Sequence, residues 1–144
     1  MKNINKVILL GYVGGSESFT ITEVVKKETG EVYKVANFSL ATTRKYKTEK
    51  EEVKEETQWH RVVAWNKLAE IVADYVTPGQ PLYVEGRIEY RKYTDEDENT
   101  RWITEIRASE ISILPKREKA ETTEKEEKPE PEKGAKNGKK GKGK

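Results

Sequence analysis

The chain has 144 residues, of which 38% are charged and none is cysteine, a size that suits one folded domain with an appendage. The absence of cysteine excludes a disulfide framework and a thiolate metal site, and no apolar run approaches membrane-spanning length. Residues 1–114 hold 17 basic and 19 acidic side chains, whereas residues 115–144 hold 11 and 7. Because the first part is nearly neutral, it must bind any polyanion through a local patch.

The first half of the chain is rich in strand patterns. Residues 6–13 predict a first strand, residues 19–25 and 31–43 predict further strands, and Thr29 with Gly30 predicts a turn between them. Residues 44–56 are dense in charge and poor in apolar side chains, so they predict a long, solvated hairpin loop.

Residues 57–65 alternate as in a strand, where side chains two positions apart share a face. One face carries Trp59, Arg61, Val63 and Trp65, and the other carries His60, Val62 and Ala64. At about 3.3 Å per residue, the two tryptophans lie about 20 Å apart. Two indoles flanking a cation suit a surface on which several nucleic-acid bases stack while the cation contacts phosphate. Tryptophan is usually largely buried, so packing of both indoles in a core remains the alternative.

A single helix is predicted after this strand. Asn66 is the expected N-cap, accepting hydrogen bonds from the first free amides. The apolar stripe of the helix consists of Leu68, Ile71, Val72, Tyr75 and Val76. Residues 77–79, Thr-Pro-Gly, end the helix.

Strand patterns return after the helix. Residues 82–93 predict a strand, residues 95–99 the tip of a hairpin, and residues 102–107 and 111–114 the closing strands. Strands, then a helix between the third and fourth main strands, then strands again is the order of the OB-fold. We therefore predict an all-β protein with one helix, built as a five-stranded OB-fold Greek-key barrel.

The last thirty residues predict no folded structure. Pro115 stops the last strand, and residues 116–144 contain no aromatic residue and no Val, Ile or Leu. Such a segment cannot bury enough apolar surface to fold. We therefore divide the chain into a domain at 1–114 and a disordered charged tail at 115–144, which is basic at its end.

Other kinds of site have weak signals. Residues 95–99 place acids as in a calcium loop, but Thr100 and Ile106 stand where that loop needs glycine and a bidentate glutamate. His60, the single histidine, lies opposite the tryptophans, outside their groove, and has no partner for a metal site, so we expect a structural or subunit-contact role. No phosphate-cradling glycine loop, cysteine nucleophile or histidine pair is present. We therefore expect neither catalysis nor a cofactor.

Several blocks of the chain match one known family. They are NKVILLG at 5–11, VANFSLAT at 35–42, QWHRVVA at 58–64, KLAE at 67–70, YVEGR at 83–87, RKYTD at 91–95 and TEI at 104–106. In this order and spacing, over about residues 5–114, the chain resembles bacterial single-stranded DNA-binding proteins. The resemblance implies sequence-independent binding and protection of single-stranded DNA by a homotetramer in replication, recombination and repair. Residues 1–6 carry no apolar signal core, so with the absence of a membrane-spanning run we expect a soluble, cytoplasmic protein, and the family resemblance adds association with the nucleoid. Residues 13–33 depart from the family pattern, so the strand register there stays open.

The resemblance also implies the site. The base-stacking positions of the family fall on Tyr46, Trp59, Trp65 and Tyr93, and the two tyrosines replace a frequent tryptophan, which should weaken stacking. The cations that flank these aromatics are the candidates for phosphate contacts: Arg44, Lys45, Arg61, Lys67, Arg87, Arg91 and Lys92. An RNA-binding or RNA-chaperone OB-fold protein is the alternative, as is a scaffold whose aromatics lie at a protein interface.

The tail departs furthest from the family. Its members commonly end in an acidic, hydrophobic tip that recruits replication and repair proteins, whereas residues 133–144 here hold six lysines and no acid. The partner-docking role is therefore not carried over. The tail is expected either to keep the protein in solution or to add phosphate contacts through its lysines.

Overall fold

The computed structural model describes residues 1–117. The described elements are β1 (Val7–Val13), a 3-10 turn (Ser16–Ser18), β2 (Thr20–Val25), β3 (Val32–Lys47), β4 (Val53–Trp65), α1 (Lys67–Tyr75), β5 (Pro81–Thr94) and β6 (Thr100–Ile113). Residues 118–144 lie outside the described part of the chain, so the disordered tail and the domain limit at residue 114 stay predictions.

Five of the strands close into a barrel. The sheet runs in the order β1-β5-β6-β4-β3-β2, and a further pairing of β1 with β3 closes the five strands from β1 to β3 in this order into a ring. The pairs are antiparallel except β4 with β6, which run parallel at Val62–Ile106 and Val63–Arg107. Strand β2 pairs with β3 outside the barrel, and α1 stands between the third and fourth barrel strands. The predicted five-stranded OB-fold with one helix is confirmed, with β2 as an additional strand.

The barrel core fixes which side of each strand faces outward. The side chains that are fully buried are Ala36, Leu40, Val62, Ala64, Ala69, Val72, Leu82 and Val84, with Phe38 almost so. Since Val62 and Ala64 point inward, alternation turns Trp59, Arg61 and Trp65 to the outside of the barrel. Burial of these aliphatic and aromatic side chains is the main force that holds the barrel closed.

The prediction of a long loop at residues 44–56 is wrong. Strand β3 continues to Lys47 and β4 begins at Val53, so the connection shrinks to residues 48–52. Opposite charges face each other across the two strands: Arg44 pairs with Glu56 at 2.7 Å and Lys45 with Glu55 at 3.1 Å. Such cross-strand pairs stabilise a ladder that has no apolar core. The result is a hairpin arm that projects beyond the barrel.

Asn66 is the N-cap residue of α1, as predicted, but the capping hydrogen bond predicted for its side chain is wrong. The Asn66 side chain makes no capping hydrogen bond, because this residue has a φ of 56° and forms the sharp turn from β4 into α1. Its backbone N–H instead donates to the carbonyl of Lys34 at 2.9 Å. Within the helix, Ala69 and Val72 are buried, whereas Tyr75, predicted in the apolar stripe, is 68% exposed. Tyr75 lies at the edge of that stripe, where the barrel no longer covers it.

The last two predicted strands are one strand. Residues 108–110 do not interrupt β6, because a bulge absorbs the irregularity: Gly86 faces Ala108, while the preceding Glu85 faces Glu110. The predicted hairpin tip at residues 95–99 is confirmed. The Asp95 carboxylate holds it by accepting hydrogen bonds from the backbone N–H of Asp97 and of Asn99. Strands β5 and β6 thus form a second arm.

Candidate nucleic-acid interface

The outer face of β4 presents an uncovered indole. Trp59 lies opposite Ala41 of β3, and Arg61 lies opposite Ser39. Because both neighbours on β3 are small, nothing on that strand shields the ring, and Trp59 is 62% exposed. The alternative that Trp59 fills the core is therefore wrong. The exposed ring offers a flat face on which a base can stack.

Two open clefts meet at Trp59 and Arg61. The first, of about 490 Å³, is bordered by these two side chains, by Arg91, and by the polar Asn37 and Ser39 of β3. It therefore combines an aromatic face, two guanidinium groups and hydrogen-bonding groups at one place. His60 also borders this cleft, but alternation along β4 turns its side chain to the face opposite Trp59, as predicted, where its Nε2 is 2.7 Å from the Thr42 hydroxyl across the arm.

The second cleft, of about 400 Å³, lies between β4 and the β5–β6 arm. Trp59 and Arg61 line one side, and Tyr93 and Trp102 line the other. The structure thus brings Tyr93 next to Trp59, as the predicted stacking set requires. It also adds Trp102, which is 63% exposed and had no predicted role. The signal that would have found Trp102 is the one that found Trp59, an indole in an alternating strand beside cations.

Trp65 occupies a different environment. It is half-buried, its ring centroid is 5.5 Å from that of Tyr33, and the Arg107 guanidinium lies 5.0 Å over the ring. It borders a separate cavity of about 590 Å³ that Lys26 and Tyr33 also line. The structure therefore does not bring Trp65 into the clefts around Trp59.

Tyr46 lies far out on the β3–β4 arm. Its ring is exposed, and the Arg44 guanidinium stands 5.2 Å over it. Since Ala41 shares a face with Trp59, alternation along β3 places Tyr46 on the opposite face of the arm. The four predicted stacking residues are thus spread over both faces of the arms.

Four of the predicted phosphate contacts already have carboxylate partners. Besides Arg44 with Glu56 and Lys45 with Glu55, the structure pairs Arg87 with Glu89 at 2.7 Å and Arg91 with Glu105 at 3.4 Å. Glu105 is buried, so Arg91 is anchored beside the first cleft by a partner that solvent hardly reaches. These four cations present less net charge to a ligand than their number suggests.

The other three predicted cations make no ion pair within residues 1–117: Arg61, Lys67 and Lys92. Arg61 lies at the junction of the two clefts. Lys92 places its ammonium 4.7 Å over the Trp102 ring, whereas Lys67 opens α1 and lines neither cleft. Arg61 is thus the unpaired cation that both clefts share.

Some carboxylates on the arms are held ionised by their partners. The hydrogen bond and the charge of Arg44 lower the pKa of Glu56. The Arg101 guanidinium, with the backbone N–H groups of the tip, lowers the pKa of Asp95. Both side chains therefore stay charged at neutral pH and keep their arginines in place. Within residues 1–117, no group of three or more His, Asp or Glu is arranged to hold a metal ion.

The matching family and relatives agree with this architecture. The family model described as the single-strand binding protein family matches residues 4–114. Single-stranded DNA-binding protein 1 of Chlorobaculum tepidum is 33% identical over 118 residues, which are 81% of this chain and 68% of the relative.

Two solved structures are similar to the chain. The Plasmodium falciparum SSB in complex with ssDNA shares 30% identity with a TM-score of 0.67, over 80% of this chain and 98% of that one. A deletion mutant of the single-stranded DNA-binding protein from Thermus aquaticus shares 26% identity with a TM-score of 0.61, over 79% and 52%. By its matched sequence and its barrel, this chain belongs to the single-strand binding protein family.

Proposed function

We propose that this chain binds single-stranded DNA, irrespective of sequence, along the outer face of β4 and the two clefts that meet there. The observation that carries this proposal is the exposed indole of Trp59 beside the unpaired guanidinium of Arg61. Every base has a π-face, so stacking on Trp59 and Tyr93 does not select a sequence. Each such contact is worth about 1–3 kcal/mol.

The stacking set extends from this centre in both directions. Trp59 and Tyr93 hold bases in the second cleft, while Trp65 contributes at the other end of β4 and Tyr46 on the far side of the arm. Trp65 is shielded by Arg107 and Tyr33, so a base reaches its ring after the guanidinium moves aside. We therefore expect Trp65 to contribute less than Trp59.

The predicted phosphate-binding cations differ in whether they already form an ion pair with a carboxylate. Arg61 and Lys92 meet phosphate without losing a carboxylate partner, and Lys67 extends the cationic track past the end of β4. Arg44, Lys45, Arg87 and Arg91 first exchange a carboxylate for a phosphate, and each contributes correspondingly less. Local cations are needed because residues 1–114 are nearly neutral.

The assembly is proposed to be a homotetramer. The outer face of β1 carries Ile8, Leu10 and Tyr12, which alternate along the strand and are all exposed. A continuous apolar stripe of this kind marks a protein interface, and identical subunits related by symmetry can cover it with its own copy. Sedimentation equilibrium should give four subunits, and Leu10→Glu should lower that number.

In the cell we propose that the protein coats single strands exposed in replication, recombination and repair, in association with the nucleoid. No helix within residues 1–117 is long and apolar enough to cross a membrane. We expect no catalytic activity.

Tryptophan fluorescence tests the proposal directly. Oligo-dT should quench the emission of the chain, and log K should fall with log salt at a slope of about −0.7 per neutralised phosphate. Trp59→Ala should weaken binding by about 1–3 kcal/mol. The matched control is Tyr75→Ala, which removes an equally exposed aromatic from α1.

Three results would contradict the proposal. An unchanged affinity for oligo-dT in a folded Trp59→Ala protein would show that bases do not stack on Trp59. An affinity for oligo-dT that does not depend on salt concentration would show that the cations do not contact phosphate. Oligo-U that displaces oligo-dT at equal concentration would favour an RNA ligand, because a DNA-binding site gains nothing from the 2′-hydroxyl.

A further inference from the structure

We propose a second base-stacking face on the reverse side of the β5–β6 arm, formed by Tyr90 and Trp102 with Lys92 between them. This inference rests on the proposed function and extends its DNA path. The single-stranded DNA that leaves the cleft at Trp59 would cross the edge of β6 and continue over this reverse face of the arm.

The strand register places these three side chains together. Lys92 faces Trp102 and Tyr90 faces Thr104, so all four point to one side of the arm. Arg91 and Tyr93 point to the other side. Tyr90 and Trp102 are diagonal neighbours, whose Cα atoms are about 7–8 Å apart. Neighbouring nucleotides of one strand can span that distance.

The barrel does not account for these two aromatics. The core on this side ends at the pair formed by Ile88 and Ile106, one step before Tyr90. Beyond it the arm is solvated on both sides, and Tyr90 is 67% and Trp102 63% exposed. Two large rings left open on one face of a solvated hairpin indicate a binding surface.

The charges on this face favour a polyanion. Its positions along the two strands are Tyr90, Lys92, Thr94, Thr100, Trp102 and Thr104, which include one cation and no acid. The opposite face of the arm, which carries Arg91 and Tyr93, also holds the acids Glu89, Glu105 and Asp95. A reverse face without carboxylates attracts phosphate without an exchange of partners.

The reverse face is continuous with the clefts already described. Trp102 lines the second cleft together with Trp59 and Tyr93, although it belongs to the opposite side of the arm. This is possible because β6 pairs with β4 at Ile106 and Arg107, leaving the edge from Thr100 to Glu105 unpaired by β4. Single-stranded DNA can therefore pass from Trp59 around that edge of β6 to Trp102.

Lys92 sits where a phosphate contact is needed. Its ammonium lies 4.7 Å over the Trp102 ring, within the range of a cation–π contact. A base that stacks on this face of the indole displaces the ammonium, which then has no other partner within residues 1–117 and is free to meet the adjacent phosphate.

A protein with Trp102 as its single tryptophan tests the contact. The chain has three tryptophans, so the variant Trp59→Phe with Trp65→Phe leaves one indole and keeps an aromatic ring at both other positions. Binding is followed independently by the anisotropy of labelled oligo-dT. Because Trp102 also borders the second cleft, quenching of Trp102 on saturation supports the reverse face when Tyr90→Ala in the same background reduces it. Bound DNA that leaves Trp102 emission unchanged overturns it, whereas absence of binding by the wild-type chain would overturn the proposed function itself.

The length of DNA covered provides the second test. Tyr90→Ala with Trp102→Ala should shorten the stretch of poly-dT that each subunit occludes, and should weaken binding of long oligo-dT at least about tenfold. Tyr75→Ala is again the control. An unchanged occluded length in the folded double variant contradicts the inference. A changed subunit number with unchanged DNA binding would assign the two rings to a contact between subunits instead.

Discussion

At the scale of single residues, exposure depends on the size of the neighbours. Trp59 is open because Ala41 and Ser39 stand beside it on β3, whereas Trp65 is covered by Tyr33 and Arg107. The alternation of residues 57–65 predicted correctly that both tryptophans share one face of β4, but it could not predict that this face points outward or which ring is shielded. The shielding groups come from β3 and β6, more than thirty residues away in the chain.

Arg61 and Arg44 should respond differently to substitution. Arg61→Met removes an unpaired cation at the junction of the clefts, so the salt slope for oligo-dT should decrease in magnitude by about 0.7. Arg44→Met removes a cation that Glu56 already neutralises, so its effect should be smaller. Salt titrations of the two variants provide the comparison, and equal changes in slope would contradict the ranking.

Removal of a competing carboxylate should strengthen binding. Glu56→Gln keeps the shape of the side chain but frees Arg44 from an ion pair of 2.7 Å. Since solvent screens exposed ion pairs and leaves them weak, the affinity for oligo-dT should rise only modestly, by up to about fivefold. Glu70→Gln, on the exposed side of α1, is the matched control for net charge. A Glu56→Gln protein that binds no better than this control would show that Arg44 does not contact DNA.

At the scale of elements, the two arms were the hardest part to predict. Residues 44–56 have the composition of a loop, yet they form paired strands because opposite charges meet across the ladder. The composition of a segment gives the number of its charged residues but not which of them face each other across a hairpin. That pairing depends on the position of the turn. The break expected at residues 108–110 was wrong for a similar reason, since a bulge keeps β6 continuous. Trp102 carries the same sequence signal as Trp59, but its exposure beside Trp59 depends on the geometry of this arm.

The arms should loosen in acid. In the folded chain the pKa of Asp95 lies below its ordinary value of 3.8, and that of Glu56 lies below 4.5. A lowered pKa means stability that is fully present above the ordinary value and is lost as the pH falls through the folded value. Thermal unfolding from pH 7 to pH 2.5 should therefore show Tm falling below about pH 4.5, and Asp95→Asn should reduce that fall. The same acid dependence in Asp95→Asn would contradict this assignment.

At the scale of the whole molecule, barrel closure depends on a close approach of two strands. Strand β1 pairs with β3 at Tyr12–Ala41 and Val13–Leu40, and a Cβ on Gly11 would collide with the carbonyl of Ala41. The order of strands and helix was enough to predict the barrel. The need for glycine at this crossing was not visible, because Gly11 sits inside an ordinary apolar strand pattern.

Gly11→Ala should therefore destabilise the fold. Forcing a methyl group against backbone at the barrel seam should cost about 1–3 kcal/mol of the free energy of unfolding. Denaturant titration measures this loss as a lower midpoint. Gly15→Ala is the control, because its Cβ would meet the flexible carboxylate of Glu17 rather than backbone. Equal stability of both variants would show that β1 and β3 can move apart enough at Gly11 to accommodate the added methyl group.

The ion-paired cations have a consequence for work at different ionic strengths. When Arg44, Lys45, Arg87 or Arg91 turns to a phosphate, it releases a small cation from the DNA but leaves behind a carboxylate that attracts one back. The two ion movements largely offset each other. The affinity of this protein should therefore tolerate rising salt better than its number of arginines suggests, and the salt slope will count fewer phosphate contacts than the complex contains.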